Sequence, residues 1–522
     1  MGLEKKPVIL LQTEGAYPYS GGGISTWAQS LCRDLDGKID YILFTLTGTP
    51  NTTLHYELPD NIKSIMKIPL WGAEDPVLYY DSERSYSSHL MKKSRTTPEI
   101  IESYFYPIFM DFVECVLEPQ NTRDKSPEII YGMWKFFQHF DYKKTMTDIF
   151  LWEYFRDRLY FHYRDLFREY QSELPRLMDI TVGMRWFYHF LMPIAASYPK
   201  VDMTHSSLSG FPSIPSIVLK YEYGTPSLIT EHGVFIRERH INISNTDFRY
   251  FSKKMLLDLS IVITSAAYQS VDQISPVAHF NTKWEQIFGG QEEKIKVIHN
   301  GIDPNYFLPK PKPLETRDIP TVVAVNHIFP LKDIETMIRS CAIVKESIPN
   351  IQYRVYGSLT VDVDYVKTCQ NLIKELALEE NFLLMGFHSN PQEIYNEGDL
   401  YILTSFSEGL PYTVMEAMCC GRPVVTTDIG GVSEIVGDDG ILCKPHNPHQ
   451  IAVAVTSLLK NNNLRIRLGR AARERIILNF NEDNTTQTYY DTYMNFINRP
   501  NKPLKYNVRV ESVNQLLDYL SD

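Results

Sequence analysis

Short apolar runs recur along this chain, and between several of them lie stretches in which apolar positions return at helical spacing. A bounded apolar run reads as a strand, and strand–helix alternation reads as a parallel sheet wound with helices. The first series of strand-like runs is Pro7–Gln12, Tyr41–Thr45, Met203–Thr204, Ser227–Thr230, Ile261–Thr264 and Lys296–His299. A second series follows at Thr321–Val325, Gln352–Tyr356, Phe382–Met385, Leu400–Thr404 and Pro423–Thr427. Between the two, Leu308–Pro320 (LPKPKPLETRDIP) is dense in proline and charge and reads as an interdomain linker. The pattern predicts an α/β protein of two doubly wound parallel-sheet domains facing a cleft, 1–307 and 308–480. A C-terminal part, 481–522, opens with a helix over Asn481–Ile497; the role of the tail Pro500–Asp522 is not legible.

One stretch of the first domain does not fit this alternation. From about Trp71 to Lys200 the chain is rich in Phe, Tyr and Trp, with helical periodicity at Ile101–Val116, Ile129–Phe140 and Thr147–Tyr170. That aromatic density is too high for a disordered linker. The plain expectation is a helical subdomain packing on itself; the alternative is a surface for an acceptor or a partner.

Composition narrows the partners and the compartment. The 522 residues exceed one ordinary core, and 52 Lys plus Arg against 63 Asp plus Glu leave a net charge of −11. Without a long basic block, nucleic acid is not an expected partner. The opening MGLEKKPVILLQTEG holds too short an apolar run for a signal-peptide core, and no later run approaches the roughly 18 residues of a membrane span. Lys6 stands where a myristoylation motif needs Ser or Thr. The seven cysteines are scattered with no C-x-x-C pair, which points to reduced thiols in the cytoplasm and to no structural metal. The adjacent Cys419 and Cys420 read as small-residue packing.

The chemistry concentrates in Ser405–Glu434, SFSEGLPYTVMEAMCCGRPVVTTDIGGVSE. An apolar strand ends at Leu403-Thr404, Ser-Glu-Gly makes a turn, and Pro411 reads as a first-turn helix residue. Backbone N–H groups and the helix dipole favour a phosphate at such a start, and Glu408 and Glu416 lie on one side to accept hydroxyl hydrogen bonds. A phosphate flanked by hydroxyls describes a nucleotide sugar. Taken alone, the two glutamates would be ordinary charges at a helix start; the accompanying Gly409, Leu410, Ala417, Gly421, Pro423 and Gly430-Gly431 argue otherwise. A second phosphate-approach geometry is the turn TEGAYPYSGGGIS after the first strand, where Gly21, Gly22 and Gly23 let backbone come close to a ligand.

The Glu408–Glu416 segment resembles the Glu-x7-Glu signature of the retaining family-4 glycosyltransferases, which have the GT-B fold of two Rossmann-like domains. With LLQTEGAYPYSGGGISTW, MTHSSLSGF, LITEHGVFIRER, VIHNGID and Lys332-Asp333 in the same order, the likeness extends from about Pro7 to Phe496 and is similar to the Pel-type exopolysaccharide glycosyltransferases. The resemblance implies that Glu408 contacts the donor sugar, Glu416 the ribose and Lys332 the diphosphate, with uracil near Gly386–His388. It implies that His205 faces the donor sugar and that Glu231-His232-Gly233 line the same place. Arg237 and Arg239 would meet an acceptor or phosphate, or form a solvated face. The C-terminal helix is implied to cross back to the first domain. One departure stands out: Asn326-His327 replaces the family's Gly-Arg, which leaves His327 as the donor-binding residue at that position.

The resulting expectation is a cytoplasmic, metal-independent hexosyltransferase moving a sugar from a nucleotide diphosphate, UDP by resemblance, to a carbohydrate or other hydroxyl acceptor with retention. His205, Glu408 and Lys332 form its catalytic set. It needs no cofactor beyond the substrate, and a membrane-bound polysaccharide synthesis complex is a further implied partner. The alternative, motivated by His327, is a catalytically weakened nucleotide-binding subunit of such an assembly. A phosphorylase or epimerase of similar fold fits Glu408 and Glu416 less well.

Overall fold

In a computed structural model the described residues are 6–72, 85–170 and 174–506. Two parallel six-stranded sheets form the frame. The first is ordered β3-β2-β1-β4-β5-β6, from β1 (Val8–Glu14), β2 (Asp40–Thr47), β3 (Ile62–Pro69), β4 (Met203–Ser206), β5 (Ser227–Glu231) and β6 (Gln273–Pro276). The second is β12-β11-β10-β7-β8-β9, from β7 (Thr321–Val325), β8 (Gln352–Tyr356), β9 (Phe382–Gly386), β10 (Leu400–Leu403), β11 (Val424–Thr427) and β12 (Ile441–Cys443). In each sheet the strand order reverses beside the first strand of its series, β1 or β7, and loops leaving the carboxyl ends there are the usual place for a ligand.

Contacts divide the chain into two compact units. The first holds the residues up to Pro276, Thr282–Lys296 and those from Tyr490 on; the second holds Val277–Asn281 and Val297–Tyr489. The boundary therefore falls before 307. Ile302 pairs with Asn481, its N–H donates to the Phe480 carbonyl at 2.8 Å, and a Cβ on Gly301 would lie 2.5 Å from the Glu482 Cα. The expected linker is likewise part of the second unit. Lys310 donates to Gln392 at 2.6 Å, its N–H donates to Asn396 at 2.7 Å, and Lys312 pairs with Asp399 at 2.8 Å.

Two expected strands are absent. Ile261–Thr264 lies inside the helix Tyr250–Ser270, where Val262, Ile263 and Thr264 are buried. Its β-branched run favours a strand locally, but burial within a long helix overrides that preference. Lys296–His299 is irregular, attached through the Lys296 N–H to the Ile274 carbonyl at 2.9 Å. The strands β3, β6 and β12 were not expected. Pro411 caps the helix Tyr412–Cys419 and stands outside its first turn.

The aromatic stretch forms helices, among them Tyr106–Leu117, Ser126–Phe137, Ile149–Tyr170 and Leu177–Phe190. It is not a subdomain packed on itself. Phe112, Val113, Tyr131 and Phe187 share one buried core with Val218 and Ile263 of the neighbouring helices and with Leu10 and Phe44 of the sheet. The parts of this stretch at 73–84 and 171–173, and the tail beyond 506, lie outside the described residues. Before that point the tail follows the first unit: the Leu504 N–H donates to the Lys220 carbonyl, and Tyr506 meets Tyr131 ring to ring at 5.5 Å.

Candidate functional site

In the second unit, the carboxyl ends of β7 and β10 bring the predicted residues together. After β10, Thr404 donates to the Lys332 and Asp333 carbonyls at 2.9 and 3.0 Å, and the Phe406 N–H donates to the Leu331 carbonyl at 3.1 Å. These bonds hold the 405–411 turn against the short helical turn Pro330–Lys332. Lys332 Nζ lies 2.5 Å from Glu408 Oε1, and Ser405 Oγ donates to the same oxygen at 2.6 Å. Both members of the ion pair are largely buried, so each needs the other to offset lost hydration. The ammonium keeps two further N–H donors beyond the one given to Glu408.

Glu416 sits on the helix Tyr412–Cys419 and accepts a hydrogen bond from the Tyr395 hydroxyl. Burial pushes its carboxyl up to about 7, against the Tyr395 bond, which pulls it down. The Tyr401 phenol feels the charge of both Glu408 and Glu416, and its hydroxyl donates to Thr413 at 2.8 Å. The two glycines of TDIGGVSE serve the same turn. The Gly431 N–H donates to the Gly409 carbonyl at 2.8 Å, and Gly430 has φ 53° with no room for a side chain: a Cβ would lie 1.9 Å from the Glu408 carbonyl oxygen. Leu410, next in the turn, is buried.

The Asn326-His327 departure lies at the end of β7. Asn326 is buried, its N–H donates to the Tyr356 carbonyl at 2.9 Å, and its Nδ2 has no partner among the described residues. The backbones approach closely there, since a Cβ on Gly357 would fall 1.7 Å from the Asn326 carbonyl oxygen. His327 keeps solvent contact; partial desolvation first, then the Lys332 charge, hold its imidazole below the usual range. Gly386 ends β9 at φ 77°, and its carbonyl accepts from the Gly357 N–H at 2.9 Å.

In the first unit the other candidates line the carboxyl ends of β1, β4 and β5. His205 is fully buried, with Nδ1 2.6 Å from the Tyr493 hydroxyl and Nε2 2.8 Å from Thr230 Oγ1. Both ring nitrogens are thus engaged within the protein, where the resemblance implied a group facing a sugar. Trp27 stands edge-on to His205 and His232, at 5.2 and 4.6 Å between ring centres. Burial first lowers both imidazoles, to about 3, so both are neutral. Glu231 accepts from the Ser209 N–H at 3.0 Å and from the Tyr268 hydroxyl at 2.8 Å. Gly21–Gly23 make the turn into the helix Gly23–Asp34, with Gly22 at φ 132° as its cap. Arg239 is no solvated charge, since it pairs with Glu14 at 2.9 Å beside that turn.

Several partners had no sequence signal of their own. Tyr395, Tyr401 and Tyr493 stand outside the quoted motif segments, Thr230 precedes Glu231 within LITEHGVFIRER as an ordinary strand residue, and Glu285 lies in a helix of ordinary pattern. Glu285 is buried with both carboxylate oxygens lacking a partner among the described residues, and the charge of Glu231 acts on it. His279, His299 and Glu434 also come within 4.8 Å of one another. Glu434 accepts there from the His279 and Phe280 N–H groups at 2.8 Å each, and His299 Nδ1 lies 2.8 Å from the Val277 carbonyl. This is the bonding of a helix cap.

Comparison with known proteins agrees with this division. Residues 7–293 match the family described as a domain of unknown function, DUF3492, and residues 309–475 match glycosyl transferases group 1. A poly(ribitol-phosphate) alpha-N-acetylglucosaminyltransferase of Staphylococcus aureus is 30% identical over 36% of this chain and 37% of its own length. An N-acetyl-alpha-D-glucosaminyl L-malate synthase of Bacillus anthracis is 32% identical over 24% of this chain and 34% of its own. The chain thus spans about a third of the length of these curated relatives. Among solved structures, Anabaena HepE in complex with UDP matches with a TM-score of 0.57 at 14% identity, over 94% of this chain and all of that one. Sucrose-phosphate synthase of Thermosynechococcus elongatus gives 0.58 at 14% identity, over 94% and 99%. These likenesses establish the GT-B fold. No helix among the described residues is long and apolar enough to cross a membrane.

Proposed function

The chain belongs to the DUF3492 family and carries a glycosyl transferases group 1 domain on a GT-B fold, and from that premise we propose that it is a retaining glycosyltransferase using a nucleotide diphosphate hexose. The observation that carries this reading is the Lys332–Glu408–Ser405 cluster beside Glu416, at the carboxyl ends of β7 and β10. UDP is the favoured nucleotide, in keeping with the UDP bound by HepE. Glu408 takes a sugar hydroxyl, Glu416 the ribose, and Lys332 with the start of the helix Tyr412–Cys419 holds the diphosphate. Acceptor attack comes on the face the diphosphate leaves. The bond from the anomeric carbon to phosphate oxygen breaks, the bond to the acceptor oxygen forms, and a phosphate oxygen takes the acceptor proton. Lys332 and the helix start supply the positive charge that the leaving diphosphate needs, so this chain requires no metal for it. The acceptor is a carbohydrate or another hydroxyl compound, and exopolysaccharide assembly in the cytoplasm is the setting the motif order favours.

A second reading is favoured by one observation. The neutral His327 stands where an arginine is expected, and Lys332 is already paired with a carboxylate. Both weaken a diphosphate clamp, which is what a nucleotide-binding subunit without transfer activity would show. Incubation with a panel of nucleotide sugars separates the two. Release of free nucleotide with a sugar product supports the transferase, binding without release supports the second reading, and absence of binding overturns both.

A further inference from the structure

The helices of the aromatic stretch, together with Trp71 and Gly72, line an open pocket that the transferase reading does not use. It has a volume of about 680 Å³, within the range of small-molecule sites, and its apolar walls are Trp71, Met146, Trp152, Met184 and Tyr188. Lys143 and Arg185 add two cations, and no carboxylate lines it among the described residues. His189 supplies a neutral polar group. Burial first holds its imidazole below the usual range, a hydrogen bond with the Leu70 backbone engages the ring, and its Nδ1 is left without a partner among the described residues.

The surroundings continue the same chemistry. Ile149 and Met178 are 67% and 69% exposed, each three residues before a lining residue of its helix, Trp152 and Thr181, and so on the same helix face. Lys144 Nζ donates to the Lys93 carbonyl at 3.2 Å, which sets the basic last turn of the helix Tyr86–Arg95, with Lys92, Lys93 and Arg95, beside Lys143 and Lys144. In a chain of net charge −11 this is a local basic patch. A sugar site would need paired polar groups along its walls, and these walls are mostly aromatic and thioether surface, with the cations Lys143 and Arg185 among the lining.

We propose that this pocket binds a lipid bearing an anionic phosphate head group, its chain against Trp71, Trp152 and Met184 and its head on Lys143 and Arg185. The exposed Ile149 and Met178 then rest on the lipid surface from which the molecule is taken. The proposal stands apart from the transferase reading and does not depend on it.

The test uses the full chain with two probes. Calorimetry with dihexanoyl phosphatidic acid, which stays monomeric in solution, reads the pocket. Flotation with phosphatidylcholine vesicles, with and without about one-third phosphatidylglycerol, reads the surface. The expected result is saturable binding of the short-chain lipid, weakened at least tenfold by the double variant Lys143→Glu, Arg185→Glu and by the pocket-filling Thr181→Trp, and flotation with the anionic vesicles alone. Circular dichroism and the melting temperature confirm that each variant is folded. A third variant, Trp152→Leu, keeps the wall apolar and should retain binding if Thr181→Trp does not fold. No binding of the short-chain lipid, binding unmoved by the charge reversals, equal flotation with neutral vesicles, or equally tight binding of inorganic phosphate or UDP at this pocket would each overturn the proposal.

Discussion

Glu408 and Glu416 answer to different surroundings, and their variants should separate accordingly. Glu408 carries Lys332 and Ser405 on one oxygen, whereas Glu416 accepts from the Tyr395 hydroxyl and has a carboxyl raised to about 7. A charge-assisted hydrogen bond is worth about 1.5–3 kcal/mol, so Glu408→Gln and Glu416→Gln should each lower transfer at least tenfold with the fold intact. Glu416 is substantially protonated near pH 7 and below. Its glutamine variant should therefore lose less at pH 6 than at pH 8, a difference that initial rates at the two pH values will read. His327 gives a second residue-scale prediction. Partial desolvation and the Lys332 charge lower its pKa, so it gains charge only as pH falls below the usual 6.5. If it meets the diphosphate, donor affinity should rise below pH 6.5, and His327→Arg should strengthen binding about tenfold at pH 8 and flatten the dependence. Calorimetry that finds neither change would place His327 away from the donor. The sequence made Glu408, Glu416, Lys332 and His327 legible as candidates because their order along the chain resembles a known pattern. It did not reveal that Glu408 binds Lys332, because that contact is made by the fold across 76 residues. For His205 the chain pointed to a sugar, while the structure shows two hydroxyl partners.

At the scale of elements, the second sheet was the more legible of the two. Its strands β7 to β11 are short apolar runs with turn residues at their ends, and β12 escaped because three residues carry no periodic signal. The first sheet misled at Ile261–Thr264, where a β-branched run belongs to a helix whose burial decides its state. The glycine pair after β11 shows how an element serves the site. Gly430 adopts φ 53° and passes so near the Glu408 carbonyl that a methyl group has no space. The left-handed conformation alone costs a non-glycine residue about 1–2 kcal/mol, and the clash falls on the Glu408 turn itself. Gly430→Ala should therefore weaken nucleotide-sugar binding more than tenfold while the melting temperature falls by only a few degrees. Calorimetry beside a thermal melt tests this, and unchanged donor affinity would show that the turn tolerates displacement.

For the whole molecule, the two-sheet plan followed from strand–helix alternation, but the insertion's place did not, because aromatic density says that side chains are buried without saying against what. Its residues share the first unit's core with the sheet, and that core holds ionisable groups at an energetic cost. Glu231 and Glu285 are both fully buried, Glu285 feels the charge of Glu231, and Glu285 has no hydrogen-bond partner among the described residues. Burial first raises both carboxyls above their ordinary 4.5, Glu231 to about 7 against the hydrogen bonds from Ser209 and Tyr268, and Glu285 to about 9 with the charge of Glu231 adding to the rise. The folded protein then retains protons that the unfolded chain releases, so unfolding sheds protons and stability falls with rising pH. The fall begins near 4.5, continues as pH climbs toward the raised values, and ends once both groups ionise in the folded state as well. A shift of two pKa units corresponds to about 2.7 kcal/mol. Glu285→Gln keeps the shape and removes the ionisation, so it should stabilise the protein by on the order of 2 kcal/mol at pH 8.5 and by little near pH 5. Urea unfolding of wild type and variant at the two pH values, followed by tryptophan fluorescence, reads the difference directly. A gain that is the same at both values would mean that Glu285 exerts its effect through packing alone, and a loss at both would mean that its carboxylate has a stabilising partner.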